Sequence, residues 1–409
     1  MTRIAMNSRH PTPVFQKKHP PEKAAPSMPP LSQNTPRLHK KSRRAYNLHM
    51  LILAIESTCD ETATALLKTT PQHHILAQHI TPQTQHRRFG GVVPEIAARQ
   101  HLANLPALLG QTLRGQPQPG AVAASCGPGL IGGLITGASA ARALALAWQT
   151  PFLAVNHLAA HALSPRLAWP ELKFPYLLLL ASGGHCQTLA VSAHDKFRRY
   201  GQTLDDAPGE ALDKAARLLG LGWPGGPALE KHAATFQPEN PQQRRDALAL
   251  LPDPLARRGD SDGDGANLDF SFSGLKTALA RKVNNSPAAS VDTAALAFAF
   301  QERVMRSLAR GAGRALARFR REHAADTPLL AAGGVAANRR LAALLSEVAV
   351  RHGAEFLPLP AGLCTDNAAM VAHAAGERVR ACGDGEPFPD DGFCTPLRPR
   401  WPLDAGAVA

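Results

Sequence analysis

The sequence contains no uninterrupted apolar run of the roughly 18 residues that a helix needs to cross a bilayer. The longest candidate, Leu130–Trp148, is interrupted by three glycines and by Arg142. We therefore expect this segment to form a packed helix of a soluble protein, and we expect no association with a membrane.

The sequence also lacks any C-x-x-C pair among its six cysteines, and no secretory leader precedes the first apolar strand. Both absences are typical of proteins that work in a reduced compartment. They predict a cytoplasmic location, and we assign none of the cysteines a nucleophilic role.

Acidic residues are nearly absent from residues 1–49, which carry ten Lys or Arg against Glu22 alone. This segment therefore holds +9 of the net charge of +13. Its composition is rich in Pro, Ser, Gln and Lys without helical or strand periodicity, which predicts a disordered basic extension. Three interpretations stay open: a dispensable extension outside the native chain, which would start at Met50; a basic arm for RNA; and an organelle transit peptide.

What the sequence does contain is one arrangement that occurs four times, a short apolar run ending in a turn rich in glycine or hydroxyl groups. The runs and turns are Leu51–Ile55 with Glu56–Thr62, Ala121–Ala124 with Ser125–Gly129, Leu177–Leu180 with Ala181–His185, and Leu329–Ala332 with Gly333–Asn338. Apolar runs without polar alternation are typical of strands covered on both faces. Such turns leave N–H groups pointing at one place, as phosphate-binding loops do. The repetition therefore favours a nucleotide bound between two α/β lobes.

Helical segments alternate with these strands, which indicates α/β architecture. We expect helices over three longer segments: 97–109, 209–219 and 294–322. The polar region Ala233–Asp269 is expected to be a solvated surface loop. Its Ser261–Gly265 tract is similar to a calcium-binding loop but lacks the glutamate that such loops carry at their twelfth position.

Two histidines, His157 and His161, lie four residues apart on one face of a predicted helix, separated by about 6 Å along its axis. This spacing suits chelation of a metal ion, although it also arises by chance on amphipathic helices. A zinc-protease motif would need a glutamate where this sequence has Leu158. The best third ligand is Asp366, although Asp366 and Asn367 together also fit an ordinary helix N-cap. Two imidazoles and one carboxylate suit iron(II) or zinc.

The segment Thr203–Lys214 holds four carboxylates within nine residues. A solvated, acidic helix start accounts for Asp205 and Asp206, because negative charge is favourable near a helix N-terminus. Glu210 and Asp213 lie three residues apart, and we expect at least one of them to point into the cleft.

Two further segments carry polar groups beside aromatic side chains. Trp223–Pro227 is expected to form a rigid turn with free N–H groups. Phe270–Lys276 combines hydroxyls and a lysine with two phenylalanines, for which a packing role and a functional role remain equal alternatives.

Ten segments, in their order and spacing, closely resemble the TsaD family, the bacterial tRNA N6-adenosine threonylcarbamoyltransferases once called glycoproteases. They are IESTCDET, GGVVPEIAARQH, SCGPGLIGGLITG, NHLAAH, ASGGH, DDAPGEALDK, PGGP, FSFSGLKT, AAGGVAANRRL and CTDNAAM. The resemblance covers about residues 50–402 and leaves out residues 1–49. One departure is Asn156, which stands where another histidine is common.

The resemblance implies an α/β fold with two lobes, similar to actin and to sugar kinases (the ASKHA fold), and a nucleotide site between the lobes. The expected first lobe is 50–156, completed by 372–409, and the expected second lobe is 157–371. The family passes the threonylcarbamoyl group of threonylcarbamoyl-adenylate to N6 of the adenosine next to the anticodon, in tRNAs reading codons that begin with A, and releases AMP. Its partners are a paralogous actin-like protein (TsaB-like) and a small ATPase (TsaE-like), which we expect as separate chains.

Carried over position by position, the resemblance assigns the site residues. One Fe²⁺ or Zn²⁺ per subunit would be held by His157, His161 and Asp366. The adenylate would be bound by Leu180, Ala181, Ser182, Gly183, Gly184, Asp213, Gly226 and Asn338. The acidic pair near the reacting centre matches Asp60 and Glu61.

These residues agree with the chemistry, because an activated acyl donor needs no covalent nucleophile, and no Ser-His-Asp pattern is visible. The step needs orientation, a Lewis acid and an acceptor for the N6 proton, for which Asp60 or Glu61 is the candidate. Two alternatives remain. A small-molecule or carbohydrate kinase on the same fold would not need the histidine pair, and a non-catalytic scaffold would not need intact site residues.

Overall fold

The fold is described from a computed structural model. The residues that the structure describes are 50–70, 72–254, 268–285, 287, 291–323, 327–382 and 388–404. Two expectations fall outside these ranges, the disordered extension 1–49 and the calcium-like tract 261–265.

The first of two five-stranded sheets has the strand order β3-β2-β1-β4-β5. Its strands are β1 (Leu51–Glu56), β2 (Glu61–Lys68), β3 (His74–Pro82), β4 (Ala121–Gly127) and β5 (Phe152–Asn156). Strands β1, β2 and β3 form an antiparallel meander, whereas β4 and β5 run parallel to β1. The carboxyl ends of β1, β4 and β5 therefore lie at one edge of the sheet.

The second sheet repeats this order as β8-β7-β6-β9-β10. Its strands are β6 (Tyr176–Ala181), β7 (Cys186–Ala193), β8 (Lys196–Gln202), β9 (Leu329–Ala332) and β10 (Phe356–Pro358). Again the first three strands are antiparallel and the last two run parallel to the first. This repeated arrangement, with helices on the sheets, confirms the predicted actin-like α/β fold.

Twelve α-helices are assigned within the described residues. They are α1 (Pro94–Thr112), α2 (Ile131–Trp148), α3 (His157–Leu163), α4 (Pro165–Ala168), α5 (Pro208–Leu218), α6 (Gly225–Ala233), α7 (Pro241–Ala249), α8 (Ser273–Asn284), α9 (Thr293–His323), α10 (Arg339–Arg351), α11 (Ala361–Cys364) and α12 (Ala368–Ala381). Short 3₁₀ helices span Thr84–Phe89 and Gly334–Ala337.

The core has three parts. One lies under α1 and α2 on the first sheet, and another lies under α9 and α10 on the second sheet. The third contains side chains of both sheets together with α3 and α12, for example Ile52, Leu178 and Val371. Helices α3 and α12 are thus held in the apolar core that joins the two sheets.

The four apolar runs that precede the glycine- and hydroxyl-rich turns are the buried strands β1, β4, β6 and β9. Every residue of β4, β6 and β9 is buried, as is all of β1 after Leu51. This confirms the prediction drawn from their lack of polar alternation. The expected surface loop Ala233–Asp269 is wrong in part, because Pro241–Ala249 is helical and Asn240 caps it by accepting hydrogen bonds from Gln242 N and Gln243 N.

Helix α2 is the one described helix with the length and apolarity of a membrane span. A core helix of a folded protein passes the same test, and α2 buries Leu134, Ala138 and Ala141 against the first sheet. Its other face exposes Ile131 and Ile135, each at 50%.

Candidate metal and nucleotide site

The two histidines are positioned by the junction of β5 and α3. Asn156 ends the strand and caps the helix, since its side chain accepts hydrogen bonds from Leu158 N and Ala159 N. The helix therefore begins at His157, and His161 follows one turn later. Both imidazoles are buried, at 5% and 1% exposure, and their ring centroids lie 4.7 Å apart in an edge-to-face arrangement.

Asp366 reaches the same place from the segment between α11 and α12. Its Oδ1 lies 3.0 Å from His161 Nε2 and 3.6 Å from His157 Nε2. The N-cap of α12 is the neighbouring residue, Asn367, whose Oδ1 accepts a hydrogen bond from Met370 N. The alternative that Asp366 serves only in a cap pair is thereby disfavoured.

The donor set fits a divalent transition metal. One ligand atom from each of His157, His161 and Asp366 lies within 4.8 Å of the others. His161 Nδ1 is buried without a hydrogen-bond partner. Two imidazole nitrogens and one carboxylate oxygen, with room for further ligands, match known zinc and non-haem iron sites.

A buried carboxylate, Glu56, stands behind the first histidine at the end of β1. Its Oε2 is 3.1 Å from His157 Nδ1, and Ser125 Oγ donates a hydrogen bond to the same oxygen. Burial lowers the pKa of His157, but the charges of Glu56 and Asp366 outweigh it and raise this pKa to about 9. Metal-binding histidines commonly pair their second nitrogen with a carboxylate in this way.

A second cluster of possible ligands, His73, His373 and Glu377, lies where α12 meets the start of β3. The two imidazoles approach to 3.1 Å between their Nδ1 atoms. Glu377 is already bound by two guanidinium groups, those of Arg166, at 3.2 Å from Nε to Oε2, and Arg380. The positive charge of these arginines disfavours a cation there, so we assign the metal to the first cluster.

The turn after β6 faces open space beside the turn after β9. β6 and β9 are parallel neighbours, and a Cβ on Gly333 would lie 2.3 Å from Ala181 O. Gly333 has φ of 93°, a left-handed conformation that favours glycine. A Cβ on Gly183, Gly184 or Gly334 would meet nothing within 4 Å. The backbone at these three glycines is therefore open to the approach of a ligand.

The predicted residues of the β6 turn differ in what they offer to a ligand. Leu180 and Ala181 are fully buried at the end of β6, so neither is exposed to a ligand in this structure. Ser182 N donates to His185 O, and Ser182 Oγ accepts from His185 N. Gly183 and Gly184 are exposed.

The expectation of free N–H groups in the turn before α6 is wrong. Asp213 Oδ1 accepts hydrogen bonds from Gly225 N at 2.8 Å and from Gly226 N at 3.2 Å. The Asp213 carboxylate thus holds the first turn of α6 against α5. Burial raises the pKa of Asp213, with the hydrogen bonds from both glycines opposing that effect.

Asn338 caps α10, because its Oδ1 accepts a hydrogen bond from Leu341 N. Its amide nitrogen donates to Gln301 Oε1 at 3.3 Å, and the residue is 8% exposed. Both ends of the amide therefore have protein partners. Its expected contact with an adenylate stays a prediction.

Asp60 ends the turn after β1, and Glu61 is the first residue of β2. Burial and the carboxylates of Asp366 and Asp60 raise the pKa of Glu61 well above its ordinary value. A carboxylate whose pKa is raised is a stronger proton acceptor than an ordinary carboxylate. The neighbouring Cys59 has its pKa raised by burial and by Asp60, so its thiol is a poor nucleophile.

Comparison with known proteins identifies the family of this chain. A model of the TsaD family, tRNA N6-adenosine threonylcarbamoyltransferase, matches residues 74–373. The tRNA N6-adenosine threonylcarbamoyltransferase of Paramagnetospirillum magneticum is 46% identical over 365 residues, which cover 88% of this chain and 98% of the relative. The enzyme of that name from Gluconobacter oxydans is 48% identical over 364 residues, covering 86% and 93%. The chain belongs to the TsaD family.

As a TsaD-family protein, the chain is a transferase. Among solved structures it is similar to T. kodakarensis HypF, with a TM-score of 0.49 and 14% identity, over 80% of this chain and 47% of that chain. It is also similar to a ROK family glucokinase from Streptomyces griseus, with a TM-score of 0.38 and 14% identity, over 79% of this chain and 97% of that chain.

Sequence reasoning missed two residues that the TsaD fold brings to the histidine pair. Glu56 is one, and the signal was an acidic residue ending an otherwise apolar, buried strand. His185 is the other, since His157, His161 and Asp366 act electrostatically on it, and its pKa is lowered to about 4, first by burial. The signal there was a histidine directly after two glycines of a strand-end turn.

The acidic residues Asp205 and Asp206 connect two TsaD motifs. Asp205 accepts hydrogen bonds from Ser271 Oγ, Phe272 N and Ser273, at the start of α8. Asp206 forms ion pairs with Lys214 and Lys276. Phe270 and Phe272 are fully buried. The packing role expected as one alternative for 270–276 is therefore favoured, and Asp205 and Asp206 are more than a solvated helix start.

Proposed function

We propose that this protein transfers the threonylcarbamoyl group from threonylcarbamoyl-adenylate to N6 of the adenosine next to the anticodon, in tRNAs reading codons that begin with A, and releases AMP. Membership of the TsaD family supports the reaction class. The observation that carries the proposal is the placement of His157, His161 and Asp366 beside the glycine turn Ser182–His185. The candidate metal site lies beside a turn whose backbone is open to a ligand. This combination suits the binding of an acyl group joined to a nucleotide.

The metal is proposed to be Fe²⁺ or Zn²⁺, held by His157, His161 and Asp366. When bound, such an ion supplies a Lewis acid that stabilises negative charge on an oxygen of the transferring group. A kinase would be expected to use Mg²⁺ with oxygen ligands and substrate phosphates. The imidazole donors therefore favour the transferase over the kinase alternative, and a scaffold would not need this donor set.

The adenylate is proposed to lie over Ser182, Gly183 and Gly184, the last two of which carry no Cβ and have open space where one would lie. Asp213 of α5 and Asn338, which caps α10 after the β9 turn, are proposed to contact it as well. Each already bonds to the protein, so a ligand contact would use the second carboxylate oxygen of Asp213 and a further lone pair of Asn338 Oδ1. Leu180, Ala181 and Gly226 would contribute backbone only.

The proton that leaves N6 is proposed to pass to Asp60 or Glu61. Asp60 is the last residue before β2 and Glu61 is its first residue. Asp366 acts electrostatically on Glu61. The acceptor adenine is a poor base, so its proton leaves late in the step, when a nearby carboxylate is most useful.

The paralogous actin-like partner is proposed to dock on the outer face of α1 and α2. This face exposes four large apolar side chains: Leu102 at 69%, Ile131 at 50%, Ile135 at 50% and Leu146 at 56%. Exposed apolar side chains gathered on neighbouring helices are typical of protein interfaces. The small ATPase is expected from the family resemblance alone.

A transfer assay tests the proposed function. The chain is incubated with labelled threonylcarbamoyl-adenylate and an unmodified tRNA transcript, with and without the two partner proteins. Label is expected on the adenosine next to the anticodon, identified by nuclease digestion and mass spectrometry. The controls are His157→Ala/His161→Ala protein and a transcript with guanosine at that position. Absence of label with active partners present, or phosphate transfer from ATP instead, would contradict the proposal.

A further inference from the structure

Three arginines without ion-pair partners among the described residues lie close together at one edge of the candidate site. We call this edge the rim. Arg87 and Arg88 come from the 3₁₀ helix Thr84–Phe89, and Arg217 comes from α5. All three are exposed, as is Phe89, at 49%. The guanidinium of Arg88 lies 5.1 Å from the centre of the Phe89 ring. An exposed aromatic ring among unpaired cations is the composition of a single-stranded nucleic-acid platform.

The 3₁₀ helix Thr84–Phe89 and α5 lie close together. The first follows β3 of the first sheet, and the second follows β8 of the second sheet. Arg217 Nη2 lies 3.4 Å from Phe89 O. A Cβ at Gly90 would lie 2.8 Å from Arg217 Nε, so glycine allows this approach, and Gly90 has φ of 63°. Beside them the ring of Trp223 meets His86 edge-on at 6.4 Å. The rim is therefore one continuous surface, formed by Arg87, Arg88, Phe89, Arg217 and Trp223.

This rim is tied to the acidic turn of the site. Gln83, which precedes the 3₁₀ helix, donates its N–H to Asp60 O at 3.0 Å. The buried His86 is bonded to Gln83 Oε1 at 2.8 Å and accepts from Val93 N. The exposed Arg87, Arg88 and Phe89 thus project from a base fixed to Asp60, and Arg217 acts electrostatically on Asp213 on its own helix.

We propose that Arg87, Arg88, Phe89 and Arg217 bind the single-stranded anticodon loop of the acceptor tRNA, the arginines on its phosphates and Phe89 stacked on a base. The proposal rests on the proposed function, because it names how the acceptor of that reaction is held. The cations of the rim would bind the negatively charged RNA backbone at the edge of the site. The target base would then enter the site and reach the carboxylates near the reacting centre. Arg87 and Arg88 lie outside the metal and glycine-turn residues, so their removal should leave the donor site intact.

Binding of an anticodon stem-loop RNA at several salt concentrations tests the proposal directly. In Arg87→Ala/Arg88→Ala protein we expect affinity to fall at least tenfold. The slope of log affinity against log salt should fall by about 1 for each phosphate that the protein no longer neutralises. Phe89→Ala should weaken binding with the salt slope unchanged. The matched control is Arg245→Ala/Arg351→Ala, which removes two exposed arginines of α7 and α10.

Two further measurements, of AMP affinity and of partner binding, separate the possible outcomes. AMP affinity should be unchanged in Arg87→Ala/Arg88→Ala protein, and a fall there would assign these arginines to the nucleotide instead. Unchanged RNA binding together with weakened partner binding would mean a protein interface and would overturn the proposal, as would equal RNA binding in test and control variants. The RNA measurement needs no transfer activity, so failure of the proposed reaction and failure of this surface are distinguishable.

Discussion

Asp366 and Asn367 are neighbours in the sequence, yet their side chains have separate roles. Asn367 caps α12 by accepting from Met370 N, while Asp366 turns to the two imidazoles. Asn156 and His157 divide their roles in the same way at the start of α3. At the scale of single residues, each capping amide fixes a helix start and so fixes where the adjacent ligand points.

Removal of the charge behind His157 tests this positioning. We expect Glu56→Gln to weaken metal affinity about 10- to 100-fold, the typical effect of losing an outer partner of a ligating histidine. Chelator competition followed by elemental analysis measures it, with His157→Ala/His161→Ala as the metal-free reference. Glu95→Gln, an exposed change, is the control. Wild-type affinity in Glu56→Gln protein would mean that Glu56 only packs.

At the scale of elements, α9 is joined to its neighbours through one buried carboxylate. Glu302, 1% exposed, contacts Arg244 of α7, Arg306 of its own helix and Arg340 of α10. Burial alone would raise the pKa of Glu302, but hydrogen bonds and charge from Arg340 and Arg306 lower it to about 2. Arg340 follows Asn338 closely, so this network also steadies the start of α10.

The lowered pKa predicts acid sensitivity. A carboxyl whose pKa is lower in the folded protein stabilises the fold above its unfolded pKa, and that contribution is lost as pH falls toward the folded pKa. We expect at most about 3.5 kcal/mol from Glu302, at about 1.4 kcal/mol per pKa unit, lost as pH falls from about 4.5 to about 2. Urea unfolding of wild type and Glu302→Gln measures it. The gap should be widest at neutral pH and close on acidification.

The exposed Glu347 of α10 provides the control, since Glu347→Gln should change stability by less than about 0.5 kcal/mol. A Glu302→Gln protein as stable as wild type at neutral pH would contradict the prediction. So would a difference between the two that stays constant as pH falls.

At the scale of the whole molecule, patterns of neighbouring residues predicted the helices and strands whose structure depends mainly on those neighbours. The histidine pair lies on a helix as predicted, and β6 and β9 contain the predicted apolar runs Leu177–Leu180 and Leu329–Ala332. Strands β3 and β8 escaped prediction because they are half-exposed and rich in polar residues, and pairing with β2 and β7 holds them.

Distant contacts decided the rest of the site. Nothing near Gly225 in the sequence indicates that Asp213 takes its N–H, and nothing near His157 indicates Glu56, which lies 101 residues earlier. The candidate metal-binding group of His157, His161 and Asp366 was predictable from its residue types and from the family motifs. The contact between Glu56 and His157 could not be predicted in this way, because it depends on which strand ends meet at one edge of the first sheet.

The distribution of charge along the chain is uneven, since residues 1–49 carry +9 of the net charge of +13. We expect a chain of residues 50–409 to keep the full-length thermal midpoint and transfer rate, because the removed segment has no apolar period with which to pack. If the segment is instead a basic arm, truncation should weaken tRNA binding and flatten its salt dependence, since fewer counterions are released. Affinity measured for both lengths at several salt concentrations distinguishes the two. A lower slope in the shorter chain would contradict the dispensable extension, and an equal slope would exclude the arm.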